Sequence, residues 1–292
     1  MKQQKIGFIG AGTVGSALAL KLSKKGFFIA AVSSRRHSSA VRLAQSIPGC
    51  KAAENNQKVA ETCDVVFITT PDDVIGKIAG EIKWRPGQSV VHCSGADSTQ
   101  ILESARQAGA QPGGFHPLQT FAGIQSALDN IPGSTIAIEA EEPLLTTLKE
   151  MAADLECRSI ELKPEDKVLY HTAAVLVSNY LVTLVKMATD LWDTMGVPRE
   201  EAVKAIVPLL KGTVGNIEDI GLPGCLTGPI ARGDAGTVEK HLTSLGKKAP
   251  DMLPVYVELA LQTLPVAVEK GKITERQIEK LISVLQKEFS KP

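Results

Sequence analysis

The stretch Lys5-Ile6-Gly7-Phe8-Ile9-Gly10-Ala11-Gly12-Thr13-Val14-Gly15 decides the fold of this 292-residue chain. An apolar run at 6–9 enters three glycines spaced G-x-G-x-x-G, and a helical pattern over 16–24 leaves them. Strand, glycine turn and helix in that order open a dinucleotide-binding βαβ unit. Gly10 lets the chain turn sharply out of the strand. Gly12 carries no side chain to hold a pyrophosphate away from the backbone, and Gly15 lets helix and strand pack closely. Thr13 and Val14 fall at the helix N-terminus, where free N–H groups and the helix dipole favour an anion. A tight βα turn with no ligand is the other reading of so short a motif.

The second strand, FFIAAV at 27–32, leads into Ser33-Ser34-Arg35-Arg36. An NAD site ends this strand with an Asp or Glu for the ribose 2′-hydroxyl. Here no carboxylate stands to repel a 2′-phosphate, and two guanidiniums are placed to clasp one. These four residues predict NADP(H) rather than NAD(H). The bland reading is a solvated arginine pair opening the next helix.

Composition excludes several classes. With 32 basic and 32 acidic residues the formal charge is zero, so no global field recruits nucleic acid or a membrane surface. Aromatic residues make up 4% and do not interleave with basic ones, as a nucleic-acid surface requires. Cys50, Cys63, Cys93, Cys157 and Cys225 are scattered and show no metal-ligand spacing. That pattern predicts reduced thiols, no metal centre and a cytoplasmic setting. The start, Lys2-Gln3-Gln4-Lys5, has no signal-peptide character,.

The first half alternates apolar strands with helical segments, as in a doubly wound, mostly parallel sheet. Helices are predicted at 38–47, 55–62 and 74–82, the last capped by Asp72 or Asp73. Strands are predicted at 64–71, 88–93, 134–139 and 158–162. Near Lys163-Pro164-Glu165 strand-like alternation stops. The expected domains are therefore an α/β Rossmann domain at 1–163 and an all-α domain at 164–292. A helix over 165–195 holds no Asp, Glu, Lys or Arg between 171 and 185. That run is shorter than the roughly 20 apolar residues of a membrane span and predicts a helix buried at the centre of the helical domain. Further helices are predicted at 199–217, 234–245, 253–269 and 274–289.

GAGTVG at 10–15, TTPD at 69–72, HCSGA at 92–96, GFHPLQTF at 114–121 and LTGPIARGD at 226–234 carry a resemblance. The architecture resembles the superfamily of β-hydroxyacid dehydrogenases, 6-phosphogluconate dehydrogenase, ketopantoate reductase and pyrroline-5-carboxylate reductase. The more particular stretches resemble bacterial Rossmann-like proteins with a helical C-terminal domain, assigned as NADP oxidoreductases of undefined substrate. The resemblance implies a catalytic cleft between the domains and a homodimer whose helical domains interlock. Related dehydrogenases place a Lys one turn before an Asn on the long helix, with the Lys as acid/base. Here Val175 stands one turn before Asn179, a departure from that pattern.

Thr69, Thr70 and Pro71 end a strand at the carboxyl edge of the sheet and are expected to flank the cofactor ribose. Ser94, also following a strand, is a candidate for the substrate or the nicotinamide amide. His116, with Pro117 fixing the turn behind it, suits a substrate carboxylate or proton donation; a loop-bonded histidine is the plainer reading. His171 and Asn179 share a helix face about 12 Å apart, at 1.5 Å per residue, and both are candidates for an elongated cleft; a packed core histidine is the rival. Arg232 is the candidate substrate anchor, with a surface pair to Asp234 as the plainer reading. The expected activity is hydride transfer between NADP(H) and a small carbonyl or imine bearing an anionic group. Two others stay open: a non-catalytic NADP sensor, and a pyrroline-5-carboxylate-type imine reductase.

Overall fold

The structure is a computed structural model that describes residues 4–287, and it divides into two compact units between Ser178 and Asn179. The first unit runs β1 (Lys5–Ile9), α1 (Thr13–Lys24), β2 (Phe28–Ser33), α2 (His37–Gln45), β3 (Lys51–Ala52), α3 (Asn56–Thr62), β4 (Val65–Ile68) and α4 (Asp72–Glu81). It continues through β5 (Ser89–His92), α5 (Glu103–Gln107), β6 (Gln111–Leu118), α6 (Ile124–Asn130), β7 (Thr135–Ala140), α7 (Leu144–Asp154), β8 (Arg158–Glu161) and α8 (Lys167–Val177). The eight strands form one sheet in the order β3-β2-β1-β4-β5-β6-β7-β8. Every neighbouring pair is parallel except β6 with β7.

The inner strands are apolar throughout because both sheet faces are covered. Alternate residues feed two cores: Phe8, Val65, Phe67 and Val91 face one side, and Ile9, Val66, Ile68 and Val90 the other. Phe8 stacks on Phe67 at 5.1 Å and Phe67 meets Phe115 edge-on at 5.8 Å. These ring pairs tie three strands together.

The second unit is helical: α9 (Asn179–Asp193), α10 (Arg199–Ile220), α11 (Ala235–Lys248), α12 (Leu253–Glu269) and α13 (Glu275–Gln286). Asp234 caps α11 by accepting from the Thr237 N–H, and Thr274 opens α13 with a capping box. Its core is built by α11, α12 and α13 through Val238, Leu242, Val257, Leu264, Leu281 and Leu285. The helix expected at 274–289 extends beyond the described residues at its end.

Four expectations are corrected. The units divide fifteen residues after the expected 163/164 boundary, because Lys167, Tyr170 and His171 of α8 bond to or pack on residues of the sheet's carboxyl edge. The single helix expected over 165–195 is two, parted at Ser178, whose ψ of −71° departs from the helical value. Their apolar side chains are not central: Val168, Leu169, Val177 and Val182 are all more than half exposed in the single chain. Pro71, not Asp72 or Asp73, takes the cap position of α4, and the two aspartates occupy its first turn, where they favour the dipole. By length and composition alone, the stretches Pro164–Asp193 and Pro250–Glu269 are apolar enough to cross a membrane.

Candidate active site

The glycine loop divides its labour as the motif requires. Gly10 takes φ +113°, and a Cβ there would stand 2.7 Å from the Thr69 carbonyl oxygen. A Cβ on Gly15 would stand 2.3 Å from both the Gly10 carbonyl and Thr69 Oγ1, so only glycine lets α1 approach β1 and β4. Gly12 is the opposite case. It opens α1 with no side-chain cap, and a Cβ there would meet nothing within 4 Å. The open space lies at the helix N-terminus beside Thr13 and Val14, so the loop fits a diphosphate held by backbone N–H groups.

Thr69 Oγ1 donates to the Gly10 carbonyl at 2.8 Å and so braces the loop from β4. Thr70 Oγ1 is buried without a partner, while Pro71 is exposed. At the end of β2, Ser33 is buried and donates its hydroxyl to Asn56 Oδ1 at 2.8 Å. That bond fixes the turn and leaves Ser33 no free donor. Ser34 is half-buried, and Arg35 and Arg36 are exposed where α2 begins. The first turn of α2 contains no acidic residue.

The second cluster gathers where β5, β6 and α8 meet. His116 and Pro117 lie inside β6, so Pro117 continues a strand and does not form a turn behind the histidine. Its Nδ1 is 2.8 Å from the Tyr170 hydroxyl, and its ring meets that of His171 edge-on at 6.1 Å. Gly95 supports both histidines: a Cβ there would stand 2.6 Å from His171 Nδ1 and 2.9 Å from His116 Nε2. Burial, with Lys167 and His171 adding repulsion, pushes His116 down to about 4. Burial pushes the Tyr170 phenol up to about 12. A protonated phenol beside a neutral imidazole donates to Nδ1 and leaves His116 with its proton on Nε2. His171 Nδ1 is buried and unpartnered.

Ser94 is placed differently from expectation. It is 1% exposed, and its Oγ lies 2.8 Å from Asp72 Oδ2 and 2.9 Å from Asp97 Oδ2 while accepting from the Ala96 and Asp97 N–H groups. A hydroxyl so committed shapes the loop and has nothing left for a substrate. Asn179 opens α9 in the second unit, beyond the break at Ser178. Arg232 ends a short turn in that unit and is exposed, and the Asp234 carboxylate is engaged by Thr237.

The sequence puts Lys167 on the His171 face of its helix but assigns it no role. It is 1% exposed, its Nζ donates to the Ser94 carbonyl at 3.0 Å, and burial lowers its pKa. The available signal was the spacing Lys167–Tyr170–His171, which sets all three on one helix face. Among the described residues no group of three or more His, Cys, Asp or Glu is arranged to hold a metal ion.

Fold and site together define a Rossmann-type protein with a glycine-rich loop at a helix N-terminus and a half-buried histidine pair at the carboxyl edge of its sheet. Residues 1–117 match the Rossmann-like domain, and residues 134–263 match the domain of unknown function DUF2520. A provisionally assigned NADP oxidoreductase from Bacteroides fragilis is similar in structure at 25% identity and TM-score 0.72, over 90% of this chain and 99% of that one. A Thermotoga maritima protein is similar at 26% identity and TM-score 0.74, over 92% and 100%. The 2-(hydroxymethyl)glutarate dehydrogenase of Eubacterium barkeri is 41% identical over 113 residues, which span 37% of this chain and 36% of that enzyme. The Plasmodium falciparum pyrroline carboxylate reductase with NADP bound shares the fold at 17% identity and TM-score 0.62, over 93% and 98%.

Proposed function

We propose that this chain is an NADP(H)-dependent oxidoreductase acting on a small carbonyl or imine that bears an anionic group. One observation carries the reading: Gly10 and Gly15 are pinned by close contacts, while Gly12 between them faces open space at an uncapped helix N-terminus. A turn needed only for folding has no use for glycine at position 12. The bound cofactor would supply the hydride. Backbone N–H groups of Thr13, Val14 and Gly15 hold its diphosphate, and Ser34, Arg35 and Arg36 receive the 2′-phosphate. The buried Thr70 hydroxyl suits the ribose or the nicotinamide.

The protein's own part in the chemistry falls to the histidine pair. His116 presents Nε2–H, oriented by Tyr170, to the oxygen or nitrogen on which charge develops. His171 is the second candidate for holding or moving that proton. The setting proposed is cytoplasmic.

His116→Ala and His171→Ala test the reading directly. NADPH affinity by calorimetry is expected to stay nearly unchanged, while kcat on a turned-over oxo acid, aldehyde or imine falls by about 10²–10⁴. Unchanged turnover in both variants sinks the catalytic role, and failure of wild type to bind NADPH sinks the whole reading.

A further inference from the structure

We infer that the space beside Gly114 binds one ordered water, which joins Lys167, His92 and Glu139 into a polar pin that docks α8 on the sheet. The inference is independent of the cofactor reading. It starts from strand register: His92 of β5 pairs with Gly114 of β6, and Gly114 pairs with Glu139 of β7. Three residues thus lie side by side across three strands, and the middle one has no side chain. A Cβ on Gly114 would stand 3.4 Å from His92 Nε2, 3.5 Å from Glu139 Cβ and 3.7 Å from Lys167 Nζ.

All three polar residues are more than nine-tenths buried, at 0% for His92, 6% for Glu139 and 1% for Lys167. Each is left short of partners. His92 Nδ1 accepts the Ser94 N–H at 3.1 Å, so the neutral ring carries its proton on Nε2, and that atom has no acceptor,. Glu139 Oε1 accepts from the Thr99 N–H and hydroxyl, while Oε2 accepts from nothing. Lys167 makes one hydrogen bond, to the Ser94 carbonyl, of the three an ammonium can donate.

The chemistry of the three atoms selects the ligand. A cation is repelled by the His92 N–H and the Lys167 ammonium, and an anion by the carboxylate. Water accepts from His92 Nε2 and from Lys167 Nζ with its two lone pairs and donates to Glu139 Oε2. Buried waters typically make about three such bonds. The role follows from α8, whose only buried residue is Lys167. A helix carrying Tyr170 and His171 is held to the sheet by a lysine, and a lysine holds only when its charge is solvated.

A crystal structure of the full chain at a resolution that shows ordered water tests the site. The expected result is one water within hydrogen-bond distance of Lys167 Nζ, His92 Nε2 and Glu139 Oε2. Lys167 bonded directly to Glu139 Oε2, or no density there in a map that shows other buried waters, overturns the proposal. Gly114→Ala tests the role by amide hydrogen exchange, since its methyl would stand at ordinary contact distance and take the water's place. Amides at 167–171 are expected to exchange at least tenfold faster than in wild type. Unchanged exchange in a folded variant overturns the pin. If that variant does not fold, Glu139→Ala, which removes the water's acceptor, is measured the same way and judged by the same outcome.

Discussion

At the residue scale, the three glycines of the loop make opposite predictions. Gly12→Val is expected to leave the melting temperature of the free protein within about 2 °C, since its side chain meets open space,. It should also remove the thermal shift caused by NADPH. Gly15→Ala drives a methyl into the Gly10 carbonyl and Thr69 Oγ1, and overpacking of this kind costs about 1–3 kcal/mol. Equal destabilisation by both changes would contradict the assignment of roles. The histidines make a pH prediction. His92 and His116 are pushed down to about 3 and about 4 by burial first and by Lys167 second, whereas an unfolded chain binds those protons near about 6.5. Between those limits the unfolded state holds more protons, so stability rises with pH. Full stability therefore holds above about 6.5 and is lost as pH falls through the folded values, by about 1.4 kcal/mol per pH unit for each histidine. Urea denaturation from about pH 7 to about pH 4 reads that slope, and His92→Gln should flatten it by one proton. A slope unchanged in the variant removes His92 from the account. The glycines were legible because the demand on each is local. Lys167, His92 and Glu139 were not, because their meeting depends on the register of three strands and on a helix far along the chain.

Elements show the same division. Apart from β3 and β6, strand positions followed from apolar runs bounded by turn residues, and the helices at 199, 253 and 274 from the end of strand-like alternation near 163. The short β3, α5 and α6 offer too few residues to show a period, and α7 escaped notice although Leu144, Leu148, Met151 and Ala152 share its buried face. The break at Ser178 was hidden because Ser178 sits inside an uninterrupted apolar pattern, and tertiary placement, not propensity, ends α8 there. The start of α2 is the element whose reading bears most on function. Arg35 and Arg36 are exposed, with no carboxylate in the following turn. Arg35→Glu is expected to cut NADPH affinity at least tenfold, the equivalent of one charge-assisted hydrogen bond of about 1.5 kcal/mol, and to leave NADH affinity equal or higher. Thermal shifts with each nucleotide at equal concentration measure it. A parallel loss for both nucleotides would mean that the arginine serves the fold and not the 2′-phosphate.

At the scale of the whole molecule, apolar helix side chains stand exposed in the single chain. In the second unit α10 exposes Leu209 at 71%, Val214 at 53% and Ile220 at 62%. The same unit holds an apolar groove of about 690 Å³ lined by Met187, Leu191, Trp192, Met252 and Leu259. Exposed apolar area on this scale marks an interaction surface. We propose that a second copy of this chain supplies the cover, because a two-fold interface buries the same apolar side chains on both copies at once. Light scattering at micromolar concentration is expected to give the mass of a dimer, twice the 31.0 kDa of the chain. Leu209→Glu deletes the burial of one leucine, worth about 2 kcal/mol, and adds a charge whose desolvation costs more. It is expected to raise the dissociation constant more than tenfold, since tenfold corresponds to about 1.4 kcal/mol. The side chain stands in solvent in the single chain, so the fold itself should be unaffected by circular dichroism. A monomeric wild type ends the dimer proposal, and a dimer untouched by Leu209→Glu moves the interface off α10.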